Sequence, residues 1–146
     1  MSEPTGPARV HLRAAGVSLV LSLPEQALPE VLHWGADLGD GLDSPDALAE
    51  LARAIAVPYV DSVVMMPPSV AILPEHAAGW LGRPGVLGSR AGRDWSPAFD
   101  HVHHQVHHRV DTADADGAGS ASARVTSRGT DTASGLEVDK IGRAHV

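Results

Sequence analysis

At 146 residues and 43% apolar content, the chain is long enough for one domain with a core of its own. Acids outnumber bases 18 to 11, and a net charge of −7 excludes a nucleic-acid partner, which would need a basic face. With no cysteine, disulfides, thiolate metal sites and a cysteine nucleophile are excluded too.

The N-terminus MSEPTGPARV places an acid and two prolines where a signal peptide would carry basic residues and an apolar run. No apolar stretch approaches the roughly 20 residues of a membrane helix. These features together lead to the expectation of a cytoplasmic protein with no membrane partner. Only three Trp, one Tyr and one Phe accompany the Ala, Val and Leu, so the core is aliphatic and each aromatic invites a reason for its place.

The segment Arg9 to Leu23, RVHLRAAGVSLVLSL, alternates apolar and polar residues on either side of Ala15-Gly16. Period two broken at a glycine predicts a β-hairpin. A third short strand is predicted at Val31 to Trp34, ended by Gly35, with a Gly/Asp-rich loop from Asp37 to Asp43. Ser44-Pro45-Asp46 then combines a capping hydroxyl, a proline suited to the first helical position and an acid against the dipole. Leu48, Leu51, Ala52 and Ile55 follow on one face, and Pro58 stops the helix.

Another strand is predicted at Tyr59 to Met65. The stretch PEHAAGWLGRPGVLGSRAGRDW that follows carries too many Gly and Pro for regular structure, and a loop of that length usually has a task.

From Asp100 period two returns. Val102, His104, Val106, His108 and Val110 share one strand face, and His101, His103, Gln105, His107 and Arg109 the other. Turn material, a return strand at 122–128, a second turn and the start of a strand at LEVD complete an antiparallel meander. The fold expected is mostly β, an incomplete antiparallel β-sandwich with one short helix.

The ending KIGRAHV neither continues that alternation nor makes a turn, so the last strand is expected to stop at Asp139. IGRAHV matches one reading frame of a common short-read sequencing adapter; a natural exposed tail is the alternative. Residues 1–139 are accordingly expected to form a truncated N-terminal β-sandwich domain and 140–146 a non-native tail. A sandwich cut in mid-strand leaves an unpaired edge, and poor autonomous stability is expected of it.

Three pieces in order, VLHWGADLG at 31–39, VPYVDS at 57–62 and LPEHAAGWLGRPGVLGSRAGRDWSPAF at 73–99, resemble the N-terminal domain of α-galactosidases of glycoside hydrolase family 36. The resemblance implies a β-supersandwich preceding a (β/α)8 barrel and a small C-terminal β domain. In such enzymes terminal α-galactosides are hydrolysed with retention by two aspartates, both in the barrel. It therefore implies no catalytic residue within this chain, no cofactor, and an α-galactoside as the substrate of the full-length enzyme.

In some members' tetramers a loop reaches the neighbouring subunit's active site with a carboxylate in a Pro-x-x-Asp setting, which matches Pro58-Tyr59-Val60-Asp61. Asp61 is thus a candidate for sugar binding, with a turn or cap role as the alternative. VVMMPPSVAI after Asp61 departs from the loop of those tetramers, and a homo-oligomer stays open. Trp80 is the second substrate-binding candidate, as an indole platform on a Gly-rich loop, with packing onto its own loop as the alternative. Trp34 and Trp95 are read as core or interface anchors, and His33 as a packed or edge histidine.

Other chemistries are weaker. No G-x-S-x-G elbow or phosphate loop is present. Asp37, Asp40, Asp43 and Asp46 lack the closing glutamate of a calcium loop. His101 with His103, or His104 with His108, have the spacing to share a zinc ion, but Ser and Arg lie across the turn and are poor ligands, so no metal site is assigned. A self-standing β-sandwich binding module is the alternative to the glycosidase domain.

Overall fold

The computed structural model describes residues 6–42, 44–58, 69–89, 91–111 and 120–145. It consists of two three-stranded antiparallel sheets facing each other. The first contains β1 (Ala8–Ala14), β2 (Val17–Leu23) and β3 (Glu30–Ala36), in that order. The second contains β4 (His101–Asp111), β5 (Ser120–Asp131) and β6 (Leu136–His145). Between the sheets in sequence come a 3-10 turn at Asp40–Leu42, helix α1 (Pro45–Ile55) and a 3-10 turn at His76–Ala78. This is a mostly β, sandwich-type domain, as the alternation predicts.

The β1–β2 hairpin closes through Ala15 and Gly16, both at positive φ (50° and 76°), the signature of a two-residue type I′ turn. Its register pairs Val10 with Leu21 and Leu12 with Leu19, so these four side chains share one face. Val125 of β5 lies against that face and completes a core with Val10, Leu12, Leu21 and Leu23. The opposite face of β2 is covered as well, since Ser18, Val20 and Ser22 are buried. Helix α1 lies against β1 and buries Leu48. Its cap is the expected one, Ser44 Oγ accepting from Ala47 N at 3.2 Å.

A second core of Leu28, Leu73, Phe99 and Val102, flanked by Leu136 and Val138, joins the long loop to the second sheet. The start of β3 is covered by residues 70–72, through Val31 N donating to Val70 O at 2.7 Å and Ile72 N to Pro29 O at 2.8 Å.

Three expectations are revised. β6 does not stop at Asp139 but pairs with β5 as far as His145 opposite Ser122. Ladder hydrogen bonds come from the backbone, so the inverted pattern of Lys140 and Ile141 does not prevent pairing. Of the two places expected for Trp34 and Trp95, core or interface, the core is excluded, since they are 75% and 68% exposed. Finally, β3 gains Glu30, Gly35 and Ala36, with a register shift at Val20/Leu21. The strand expected at Tyr59 to Met65 lies outside the described residues. Among the described residues, no helix is long and apolar enough to cross a membrane.

Candidate functional site

Of the two residues proposed to meet sugar, Asp61 lies outside the described residues. Trp80 is half-buried on the turn after Gly79, whose φ of 89° reverses the chain. Its Nε1 donates to Arg83 O at 3.2 Å. A Cβ on Gly82 would lie only 2.7 Å from that nitrogen, so glycine is what lets the indole fold back over the loop. The structure thus shows Trp80 packed on its own loop.

The histidine strand divides as alternation requires. His104, on the inner face, places Nδ1 2.8 Å from Ser127 Oγ and Nε2 2.8 Å from Pro24 O. A carbonyl only accepts, so Nε2 carries the proton and Nδ1 of the neutral ring accepts from the serine hydroxyl. Nδ1 ties β4 to β5 within the second sheet and Nε2 ties it to the chain leaving the first, so neither nitrogen is left for the metal pairing with His108 considered above.

On the outer face, His103 stands opposite Arg128 and His107 opposite Arg124. A cation beside each imidazole opposes a second cation. Among the described residues no three His, Asp or Glu gather into a group able to hold a metal ion.

That outer face forms a cleft of about 450 Å3 lined by His103, Gln105, Arg124, Thr126, Arg128 and Asp139 with Ile141. Arg128 grips Asp139 through two hydrogen bonds, of 2.8 and 3.0 Å. The pairing lowers the Asp139 pKa and raises that of Arg128.

Two clusters look catalytic at first sight. The first joins His11, Ser18 and Asp37 on the outer side of the first sheet. His11 Nε2 is 2.8 Å and Asp37 Oδ1 3.1 Å from Ser18 Oγ, and Leu38 N donates to the same oxygen at 2.9 Å. A serine has one hydroxyl proton, and the carboxylate takes it, so His11 must donate to Ser18 rather than withdraw a proton. Ser18 is also completely buried, out of reach of a substrate.

Asp37 further accepts from Arg13 Nε at 2.8 Å and NH2 at 2.7 Å, and Arg13 also binds Asp40. Arg13, with help from the Gly39 amide, holds the Asp37 carboxyl well below the usual carboxylate range. Of the four acids weighed as a calcium loop, Asp37 and Asp40 are thus engaged with an arginine, Asp46 lies in the first turn of α1, and Asp43 lies outside the described residues. The network fastens residues 37–40 to the hairpin.

The second cluster is Glu75 with Asp131. Burial pushes the Glu75 pKa up, while the Ser134 hydroxyl and backbone amides pull that of Asp131 down. Divergent carboxylates are what a glycosidase acid and nucleophile would show. However, Asp131 Oδ1 accepts from Ala133 N (2.9 Å) and Ser134 N (3.4 Å), and Oδ2 from Ser134 Oγ (2.6 Å) and Ala98 N (3.4 Å). With both oxygens occupied and the residue only 5% exposed, it cannot approach an anomeric carbon. Glu75 Oε1 is likewise committed, accepting from Phe99 N at 2.8 Å. The pair clamps the loop end to the second sheet. Sequence reasoning missed the clamp because the amides that join it to the loop end, Ala98 N and Phe99 N, are distant in sequence, although the bonds of Asp131 to Ala133 and Ser134 are local.

Fold and sites together define a β-sandwich module in which the two clusters that look catalytic, Ser18 with Asp37 and Glu75 with Asp131, hold loops to the sheets. The model of the glycosyl hydrolase family 36 N-terminal domain matches residues 27–141, and the chain belongs to that family. Comparison with curated proteins and comparison with solved structures each return no match.

Proposed function

We propose that the chain serves as the non-catalytic N-terminal domain of a retaining α-galactosidase acting on terminal α-galactosides, with the two catalytic carboxylates supplied by another domain. The observation that carries this reading is the family match over 27–141, which spans the long loop and all of β4 and β5. The chemistry agrees with it. Retention needs two free carboxylates about 5 Å apart across the anomeric carbon, whereas among the described residues Glu75 and Asp131, whose pKa values diverge, are engaged by amides and the Ser134 hydroxyl. In the full-length enzyme Asp61 is the residue offered to the sugar, and Trp80 steadies its own loop through Arg83 O.

Reading the genomic frame past codon 139 tests the proposal. A downstream barrel bearing an aspartate at two strand ends supports it, whereas a stop codon soon after leaves a self-standing β-sandwich binding module. As a second arm, the 146-residue chain is assayed on 4-nitrophenyl α-galactoside. No turnover is expected, and turnover abolished by Glu75→Gln would overturn the non-catalytic role.

A further inference from the structure

Between the long loop and the second sheet lies a solvent-open cavity of about 220 Å3, walled by Val86, Ser89, Asp94 and Pro97, by Ser134 of the β5–β6 turn and by Leu136 at the start of β6. Its volume lies below the roughly 300–1,000 Å3 of drug-sized sites and suits one small ring. The polar groups in it are set in place. Ser134 donates its hydroxyl proton to Asp131 at 2.6 Å, which leaves the oxygen's lone pairs free to accept. Asp94 has neither hydrogen bond nor ion pair among the described residues, and it is held at φ 58°, close to Ala91 at φ 53°. Aspartate is among the non-glycine residues that adopt this conformation most readily, and Ala91 belongs to a turn with Gly92 at φ 76°. The neighbouring Trp95 is 68% exposed and lines a narrow crevice sharing Val86 and Pro97 with the cavity.

We propose that this cavity is a binding subsite for a single neutral sugar ring, with Asp94 and Ser134 accepting from its hydroxyls and Trp95 bounding the next unit of a longer glycan. An ionised carboxylate is the strongest acceptor available for hydroxyls and repels anions. Val86, Pro97 and Leu136 suit the C–H edge of a ring, and an exposed indole beside a polar pocket suits a saccharide more than an apolar ligand. The inference does not depend on the α-galactosidase reading, because binding here needs no barrel.

The 146-residue chain, labelled at its indole nitrogens, is titrated with methyl α-galactoside and with raffinose, and in a separate arm with methylammonium. A saturable shift of the Trp95 indole resonance is expected, with a millimolar Kd. Asp94→Asn removes the charge while tolerating the left-handed backbone, and Asp94→Gly keeps that backbone without any carboxylate. Both should weaken sugar binding by about tenfold or more. Trp95→Ala, which removes the reporting indole and is therefore read by saturation transfer to the sugar protons, should weaken raffinose more than the monosaccharide.

No shift up to about 100 mM sugar overturns the proposal, since a Kd beyond that is no longer a site. Binding unaffected by both Asp94 variants overturns it as well. Saturation by methylammonium without sugar binding would make the cavity a cation site and equally end the proposal. Matching thermal midpoints among the variants show that they fold.

Discussion

Glu75 and Asp131 hold adjacent amides of one short segment, Glu75 Oε1 accepting from Phe99 N at 2.8 Å and Asp131 Oδ2 from Ala98 N at 3.4 Å. The two carboxylates respond to pH in opposite senses. Burial raises the Glu75 pKa above its ordinary 4.5, so the folded state binds a proton more tightly than the unfolded chain. The stability this adds is present below 4.5 and is lost as pH rises through the higher folded value. Asp131 is lowered from 3.8, chiefly by the Ser134 hydroxyl, so its contribution is present above 3.8 and is lost as pH falls through the lower folded value. Urea midpoints measured from pH 3 to 7 should therefore fall at both ends. Glu75→Gln, which keeps an acceptor for Phe99 N, should flatten the decline above 4.5. Asp131→Ala should cost about 1–3 kcal/mol at neutral pH by leaving buried donors unmet.

The histidines of β4 should separate cleanly by face. His104→Ala strands the Pro24 carbonyl and the Ser127 hydroxyl, and is expected to cost about 1–3 kcal/mol in urea denaturation. Replacing His101, His103 and His107 together with Gln should change stability by less than about 0.5 kcal/mol, because all three are exposed. Equal losses from the two variants would contradict the assignment of His104 to the inner face.

That division was legible in HVHHQVHHRV, because a period of two needs no knowledge of partners. So were the turn at Ala15-Gly16 and the cap at Ser44, whose chemistry lies within a few residues. What could not be read was anything set by distant chain. Pro24 lies 80 residues from His104. Glu75 announces itself by no spacing, since its donor is an amide such as every residue carries, and the local bonds of Asp131 to Ala133 and Ser134 gave no sign of its reach to Ala98 N. β6 beyond Asp139 also escaped notice, because Lys140 falls on the face of buried Ser127 and exposed Ile141 on the other, the reverse of an amphipathic strand. Trp34 misled for a related reason. Its position opposite Leu19 puts it on the core-facing side of β3, yet the second sheet does not extend over it.

The β1–β2 turn carries a removable cost. Ala15 sits at φ 50°, a region where an alanine Cβ crowds the following carbonyl, and the next residue is already the glycine that a type I′ turn prefers. Ala15→Asn should raise stability by about 0.5–1 kcal/mol, read as a higher urea midpoint with unchanged slope. Gly16→Ala, at φ 76°, should lower it by a similar or larger amount.

Gly129 lets the second sheet pack closely against Phe99, at the end of the long loop. It pairs with Val102 on one side and Val138 on the other, and a Cβ there would stand 3.1 Å from Phe99 Cβ and 3.3 Å from both Leu28 Cδ2 and Val138 Cγ1. Two opposing effects follow from Gly129→Ala. Fewer unfolded conformations favour the alanine by about 0.4–1 kcal/mol, but Phe99 Cβ is close to backbone and cannot swing away, so overpacking of about 1–3 kcal/mol should win. Leu28→Val shortens the second neighbour and should recover part of the loss in the double variant, although alone it opens a small cavity. A double-mutant cycle in urea reads this as a favourable coupling of about 0.5 kcal/mol or more, the size expected for residues in contact. A neutral Gly129→Ala with no coupling would mean that the loop and the sheet stand further apart than the closed core of Leu28, Phe99 and Val102 requires.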